Sequence, residues 1–430
     1  MSDTIAFKKD QKKVINGWAF FDWANSAYAL TITVAIFPGY FLAVTDDTIH
    51  IGNMTMSNSS LYSYAISAAY LLIAIASPFL SGIADYGGRK KFFLRMFTTI
   101  GSLACISLWF FNGMETLQLG TVSFILATVG FAGGLVFYNS YLPIIASEEK
   151  YDSVSAKGFA YGFIGSVILL LINLLVIQKY EWFGLSGRGV AVKLSFVMVG
   201  LWWLGFAQIP FRRLPKDVRV KSDENLIFKG FLELRKVWQQ LKMHRNTKGF
   251  LLAFFWYSAG TQTVLFLAAT FAEKQLHFDA MELIALILLL QIVAIGGAYL
   301  FAKIADIKGN KTSIVIMLLI WTSICVSAYF IYTKPPFYII AAGVGIVMGG
   351  IQSVSRATYS KLIPQDTVDT ASWFSFYDVV EKLAIIVGTF SFGFIEQLTG
   401  SMHNSVLSLA LFFMISLALI HRVKIQHLKV

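Results

Sequence analysis

The chain reads as long apolar runs separated by short polar stretches, many of them basic. The runs cover residues 16–42, 60–84, 92–112, 118–146, 157–180, 191–210, 248–273, 281–302, 312–332, 336–361, 371–396 and 402–420. A helix needs about 20 mostly apolar residues to cross roughly 30 Å of hydrocarbon, and every run is of that order. The pattern predicts an all-α membrane protein with twelve transmembrane helices in two sets of six. Period-two alternation of the kind a membrane barrel needs is missing from the runs. Pro38, Pro78, Pro143 and the pair Gly349-Gly350 fall inside runs. Membrane helices tolerate both residue types when neighbours satisfy the freed backbone groups. The small-residue stretches Gly130–Gly134 and Gly343–Gly350 predict close helix approach.

The polar stretches repeat. Gly82 to Lys91 contains Ile-Ala-Asp-Tyr-Gly-Gly-Arg-Lys, and Lys303 to Lys311 contains Ile-Ala-Asp-Ile-Lys-Gly-Asn-Lys. Tyr138 and Pro143 recur as Tyr359 and Pro364 at the same offset of about 221 residues, so the chain reads as a duplication. It predicts an N-terminal six-helix bundle (1–210), a linker (211–247) and a C-terminal six-helix bundle (248–430). Duplicated halves suit alternating access about a central cavity.

Composition agrees. Of the 430 residues, 57% are hydrophobic and 14% charged, far from the roughly 25% charged content of soluble domains. The net charge of +11 invites a nucleic-acid reading, but its placement argues otherwise. With the N-terminus inside, only Lys179, Arg188, Lys193, Lys274 and Lys334 of the 35 basic residues fall outside, and Lys382 lies within a run. That asymmetry predicts cytoplasmic termini and contact with anionic lipid, with no nucleic-acid partner. The first run contains Asp22 and lacks a small-residue cleavage site, so no cleavable signal peptide is expected. Within the linker, Ile227, Phe231, Leu234, Trp238 and Leu241 recur at helical spacing, with Lys229, Arg235, Lys236 and Lys242 on other faces. This predicts an amphipathic helix lying on the membrane surface. Cys105 and Cys325 sit in apolar runs and read as packing residues.

Each charge inside a run costs at least ~2.5 kcal/mol at mid-membrane, so each needs a reason. Asp22 lies ~9 Å into the first span. Asn25 shares its face. Asp22 fits either a substrate-binding or proton-titrating carboxylate or an interfacial acid held by a nearby base. In span 11, Asp378, Glu381 and Lys382 place two acids and one base together, with Glu381 about 15 Å deep. The excess acid leaves room for one bound proton, which suits proton coupling; a structural ion pair is the plainer alternative. Arg356, after Gln352 and Ser353 in span 10, fits a carboxylate clamp or a gate residue that holds Asp22 or Asp378. Asn139, Gln262, Gln291 and Gln352 offer amides to a polar substrate, or to a neighbouring helix. The six histidines fall in loops or at helix ends, and no metal-ligand spacing, phosphate loop or Ser-His-Asp arrangement is present, so neither an enzyme nor a cofactor is expected.

The twelve spans, the duplication and the loop Asp85-x-x-Gly88-Arg89-Lys90 resemble the major facilitator superfamily, with Ser81 where glycine is common. The resemblance implies a cytoplasmic gate at Asp85, Gly88 and Arg89, with Asp306 and Gly309 as second-half equivalents. It also implies a monomer. Trp18 to Ala27, Phe137 to Pro143, Gly349 to Pro364 and Lys382 resemble the vacuole effluxer family across almost the whole chain. That family's fungal members export amino acids, and the compact loops here match its bacterial members, which implies an inner (plasma) membrane location. The reading is therefore a proton-coupled secondary transporter of a small polar or zwitterionic substrate, amino acids among them. Multidrug efflux by the same fold and a non-transporting receptor or scaffold are the rivals.

Overall fold

A computed structural model describes residues 8–51, 54–217, 226–365 and 367–425. Part of the predicted linker (218–225), the side chains of Ile227 and Lys229, and the last five residues of the C-terminal bundle lie outside that description. The chain is built from helices α1 (Lys12–Tyr28), α2 (Phe37–Val44), α3 (Asn58–Tyr86), α4 (Lys90–Ser107), α5 (Leu117–Asn139), α6 (Leu142–Ile145), α7 (Tyr151–Gln178) and α8 (Arg188–Arg213). They are followed by α9 (Leu226–Met243), α10 (Arg245–Leu276), α11 (Ala280–Lys308), α12 (Asn310–Tyr329), α13 (Lys334–Leu362), α14 (Thr370–Thr399) and α15 (Met402–His421). Among the described residues ten helices are long and apolar enough to span a membrane, and an eleventh is the bent pair Lys12–Ala35 with Phe37–Val44. The 30-residue α14 is long enough as well, and carries Asp378, Glu381 and Lys382. This predominantly helical architecture is consistent with twelve spans.

Three local departures from the predicted spans have physical causes. The first run does not form one straight helix. A π-helical turn, Ala29–Ala35, follows α1, and the chain then bends by 41° into α2, whose first turn contains Pro38. A missing proline N–H is least costly at that position. The fourth run breaks after Asn139, and Pro143 opens the short α6. The fifth begins at Tyr151 rather than 157, which brings Asp152 into its first turn, where an acid is favoured by the helix dipole. A two-stranded hairpin, β1 (Thr48–Ile51) and β2 (Met54–Ser57), joins α2 to α3; period-two reading of the long runs did not reach it.

Two compact units are distinguished: residues 16–138 with 161–230, and residues 1–15 with 139–160 and 231–430. In the first, α4 packs along α8 and meets α5 at glycines; a Cβ on Gly130 would lie 2.5 Å from the Gly101 Cα. In the second, α11 packs on α13, α12 on α15, and α10 on α14 and α15. The α11–α13 contact depends on Gly345 and Gly349, one turn apart; a Cβ on Gly349 would come 2.1 Å from the Ala294 carbonyl oxygen. Small residues let helix backbones touch where lipid supplies no hydrophobic drive between helices. The outward faces are apolar: Leu71, Leu72 and Ile75 on α3, and Phe390 on α14, are more than half exposed. Such faces are stable in lipid and costly in water.

Candidate substrate and coupling sites

In the first unit the polar centre is built on α1. Trp18, Asp22 and Asn25 are spaced four and three apart, so they share one face. Asp22 is 3% exposed and accepts a hydrogen bond from the Tyr138 hydroxyl at 2.7 Å. The Tyr138 ring stacks on Trp18 at 4.4 Å and on Phe21 at 4.7 Å. The Trp18 indole N–H donates to the Tyr138 carbonyl at 3.0 Å, which locks the phenol in place. Gly162 on α7 lets that helix come close; a Cβ there would sit 2.5 Å from the Ser26 hydroxyl. Asn25 is 1% exposed, and neither of its amide atoms has a hydrogen-bond partner. A buried amide left unpaired costs on the order of 1–3 kcal/mol, so Asn25 is a strong point for a polar guest or water. The sequence repeat had singled out Tyr138, but not its bond to Asp22.

In the second unit the centre is on α14. Lys382 pairs with Asp378 Oδ1 at 3.1 Å and with Glu381 Oε2 at 3.2 Å. Gln262 on α10 donates to Glu381 Oε1 at 3.1 Å, so sequence-predicted residues from two spans meet. Asp378 and Lys382 are about 5% exposed, and Asp378 Oδ2 has no partner. Two acids around one base retain one negative charge in a medium that disfavours it. The arrangement can hold a proton or pair with a cationic group.

Arg356 on α13 is also buried. Its Nε donates to the Ser155 hydroxyl at 2.9 Å, Nη2 to the Ser155 carbonyl at 2.8 Å, and Nη1 to Asn139 Oδ1 at 3.1 Å. The guanidinium lies 4.2 Å from the centre of the Phe159 ring. Asn139 therefore serves Arg356. Ser155, which sequence reading did not weigh, supplies two acceptors. Gln352 is one turn earlier on α13 and half-buried.

The two repeated loops differ in detail. Asp85, its side chain fully buried, pairs with Lys90 at 2.9 Å. Gly88 turns the chain at φ 58°, and Arg89 is exposed. Lys91 donates its backbone N–H to both oxygens of Asp217, at 3.1 and 3.0 Å. In the second loop Gly309 turns the chain at φ 85°, and Asp306 is exposed. Beside it stands a buried cluster absent from sequence reading. Asp152 accepts from Asn310 Nδ2 and Lys361 Nζ, each at 2.5 Å, and Lys361 donates to Asn310 Oδ1 at 2.8 Å. Placement of Asp152 in a loop hid it. Its adjacency to the acidic Glu148-Glu149 helix start was the available signal.

Apolar helices of spanning length around a few buried charge clusters make a polytopic membrane fold, and solved membrane transporters share it. The outward-conformation crystal structure of the major facilitator superfamily transporter FucP matches with a TM-score of 0.69 at 14% identity, over 96% of this chain and all of FucP. The proton:xylose symporter XylE matches with a TM-score of 0.69 at 11% identity, over 94% of this chain and 93% of XylE. These likenesses are of fold. The family model described as vacuole effluxer Atg22 like matches residues 10–430, and the chain belongs to that family. The MFS-type transporter YxiO of Bacillus subtilis (strain 168) is 30% identical over 94% of this chain and 93% of its own. Autophagy-related protein 22 of Kluyveromyces lactis is 25% identical over 99% and 96%.

Proposed function

We propose that the protein is a secondary active transporter that moves a small polar or zwitterionic metabolite, amino acids among them, by alternating access coupled to protons. The α14 cluster carries this reading. Asp378, Glu381 and Lys382 lie in a 30-residue helix, long enough to cross lipid, where unneeded charge is disfavoured. Charges of both signs at buried positions suit a zwitterion, and the surplus acid suits a proton. Names of two fold neighbours, a fucose:proton and a xylose:proton symporter, point the same way for coupling. Asp22, Asn25, Gln262, Gln352 and Arg356 are assigned to substrate or coupling, with Asn139 supporting Arg356. The loops at Asp85, Gly88 and Arg89 and at Asp306 and Gly309 are assigned to the gate. Cytoplasmic termini in the plasma membrane, two six-helix halves that pivot on each other, and a monomeric carrier complete the proposal; the basic bias of the polar stretches supports the orientation.

Flux into proteoliposomes, with and without an imposed pH gradient, tests it. Glu381→Gln is expected to lose gradient-driven flux at least about 100-fold if its proton is the coupled one, and Asp22→Asn to lose substrate affinity or coupling. Equal flux in the parent and both variants removes the coupling claim. A thermal-shift screen against amino acids and other zwitterions identifies the substrate class, because a ligand that prefers the folded protein raises its melting temperature.

A further inference from the structure

A polar cavity lies apart from these clusters. It measures about 300 Å³ and is lined by Glu148, Met243 to Thr247, Lys361, Leu362, Lys424 and Ile425. All of these residues belong to the second unit. Its walls come from the α9–α10 junction, the C-terminal end of α13 and the segment just past α15, so it lies at the ends of helices long enough to span a membrane. Neither Arg245 nor Lys424 has a carboxylate partner among the described residues. Lys361 contributes a third cation, matched by Asp152. His244 adds a ring nitrogen, and Glu148 is the one acid among the described residues of the wall. Thr247 is held by its bond to the Leu362 carbonyl at 2.7 Å, and Asn246 accepts the Lys424 backbone N–H at 3.2 Å, so α10, α13 and the C-terminal segment are tied around the space. Arg245, Asn246 and Thr247 form the first turn of α10, whose N–H groups add positive partial charge to the side-chain charges.

We propose that this cavity binds a phosphate group, from inorganic phosphate or the headgroup of an anionic lipid. A tetrahedral oxyanion takes the guanidinium fork of Arg245 and the ammonium of Lys424 together, which neither cation achieves with a neutral ligand. The volume admits a phosphate with waters to spare, since one water occupies roughly 30 Å³ of liquid. The α9 helix ends at the cavity at Met243 and exposes Phe231, Leu232 and Trp238 along its length, an apolar face that suits contact with lipid. A bound phosphate shares Lys361 with Asp152 and Asn310, so occupancy bears on the contacts that hold segment 139–160 in this unit.

The test uses the purified full-length protein. In neutral detergent it is titrated with sodium phosphate against sodium chloride at matched ionic strength, read by thermal unfolding. In nanodiscs it is compared in phosphatidylcholine alone and mixed with phosphatidylglycerol. Arg245→Gln with Lys424→Gln is expected to weaken phosphate binding about tenfold or more, the loss of charge-assisted bonds. Glu148→Gln is expected to tighten it, a gain that a misfolded variant does not mimic. Arg235→Gln with Lys248→Gln removes equal charge from exposed positions outside the cavity and should leave binding unchanged. Stabilisation by phosphate with this pattern identifies the free ion. The same pattern with phosphatidylglycerol alone identifies the lipid headgroup. Indifference of the parent to both, or an equal loss in the outside pair, overturns the proposal.

Discussion

The two copies of the Ile-Ala-Asp-x-x-Gly-x-Lys loop share a positive-φ glycine and differ in turn length and chemistry. In both, a glycine with positive φ ends the approach to a new helix, Gly88 before α4 and Gly309 before α12. A basic side chain just beyond then donates to the carbonyls at the end of the unit's last spanning helix. Lys91 reaches the Leu214 carbonyl at 2.8 Å and Arg95 the Phe211 carbonyl at 3.2 Å; Lys311 reaches those of His421 at 2.7 Å and Val423 at 3.1 Å. Cations at helix C-termini satisfy orphan carbonyls and the dipole at once. The acids diverge. Asp85 is buried against Lys90, whereas Asp306 is exposed and the buried acid of the second loop is Asp152, from a distant part of the sequence. The two loops keep a positive-φ glycine and a cation on the far helix end, and differ in which residue supplies the buried acid.

Substitutions can break that comparison at graded cost. The largest effect is expected for Asp152→Ala. It strands Lys361 and the Asn310 amide and should lower stability by about 3 kcal/mol, seen as earlier thermal unfolding in detergent. Asp85→Ala should cost about 2 kcal/mol, while Asp306→Ala stays within about 0.5 kcal/mol, as exposed sites do. Equal losses at Asp85 and Asp306 would erase the asymmetry between the loops. Gly309→Ala and Gly88→Ala should each cost on the order of 1–2 kcal/mol by forcing a side chain into a left-handed backbone region. A parent-like Gly309→Ala would show that the second turn is not constrained.

The mildest effect concerns the N-terminal tether. Asp10 accepts from the Ser147 backbone N–H at 2.9 Å and pairs with Lys150 at 3.3 Å. Partial burial pushes its carboxyl upward, but the bonds to Ser147 and Lys150 outweigh it and leave the acid below its ordinary value. A depressed carboxylate stabilises the fold above its unfolded value, and that contribution fades as pH falls below about 4 through the lower folded value. Amide exchange at Ser147, corrected for intrinsic rate, should accelerate over that window in the parent. It should be fast at every pH in Asp10→Ala.

Apolar periodicity made most of the fold legible. Long runs in lipid admit little besides helices, and the glycines of α5 and α13 announced close packing before any contact was known. The clusters were legible only in part. Asp378, Glu381 and Lys382 stood out because charge inside a run is conspicuous, and helical spacing put two of them together. Their link to Gln262 depends on how α10 packs on α14, which a single sequence does not encode locally. Asp152 escaped because the fifth helix starts six residues earlier than its apolar run. Ser155, within the same missed turn, escaped with it. Amphipathic first turns at a membrane boundary look like loop.

The π-helical turn Ala29–Ala35 has one further implication. Its bond from the Ile36 N–H to the Thr31 carbonyl, at 2.9 Å, spans five residues where an α-helix spans four. That surplus residue can be handed along the helix as successive bonds switch partner, each switch rotating the intervening stretch by about 100° with no net loss of bonds. Asn25, without a partner, lies only four residues before this stretch. A ratchet of that kind would let the innermost part of the first span swivel its polar face while its two ends stay anchored.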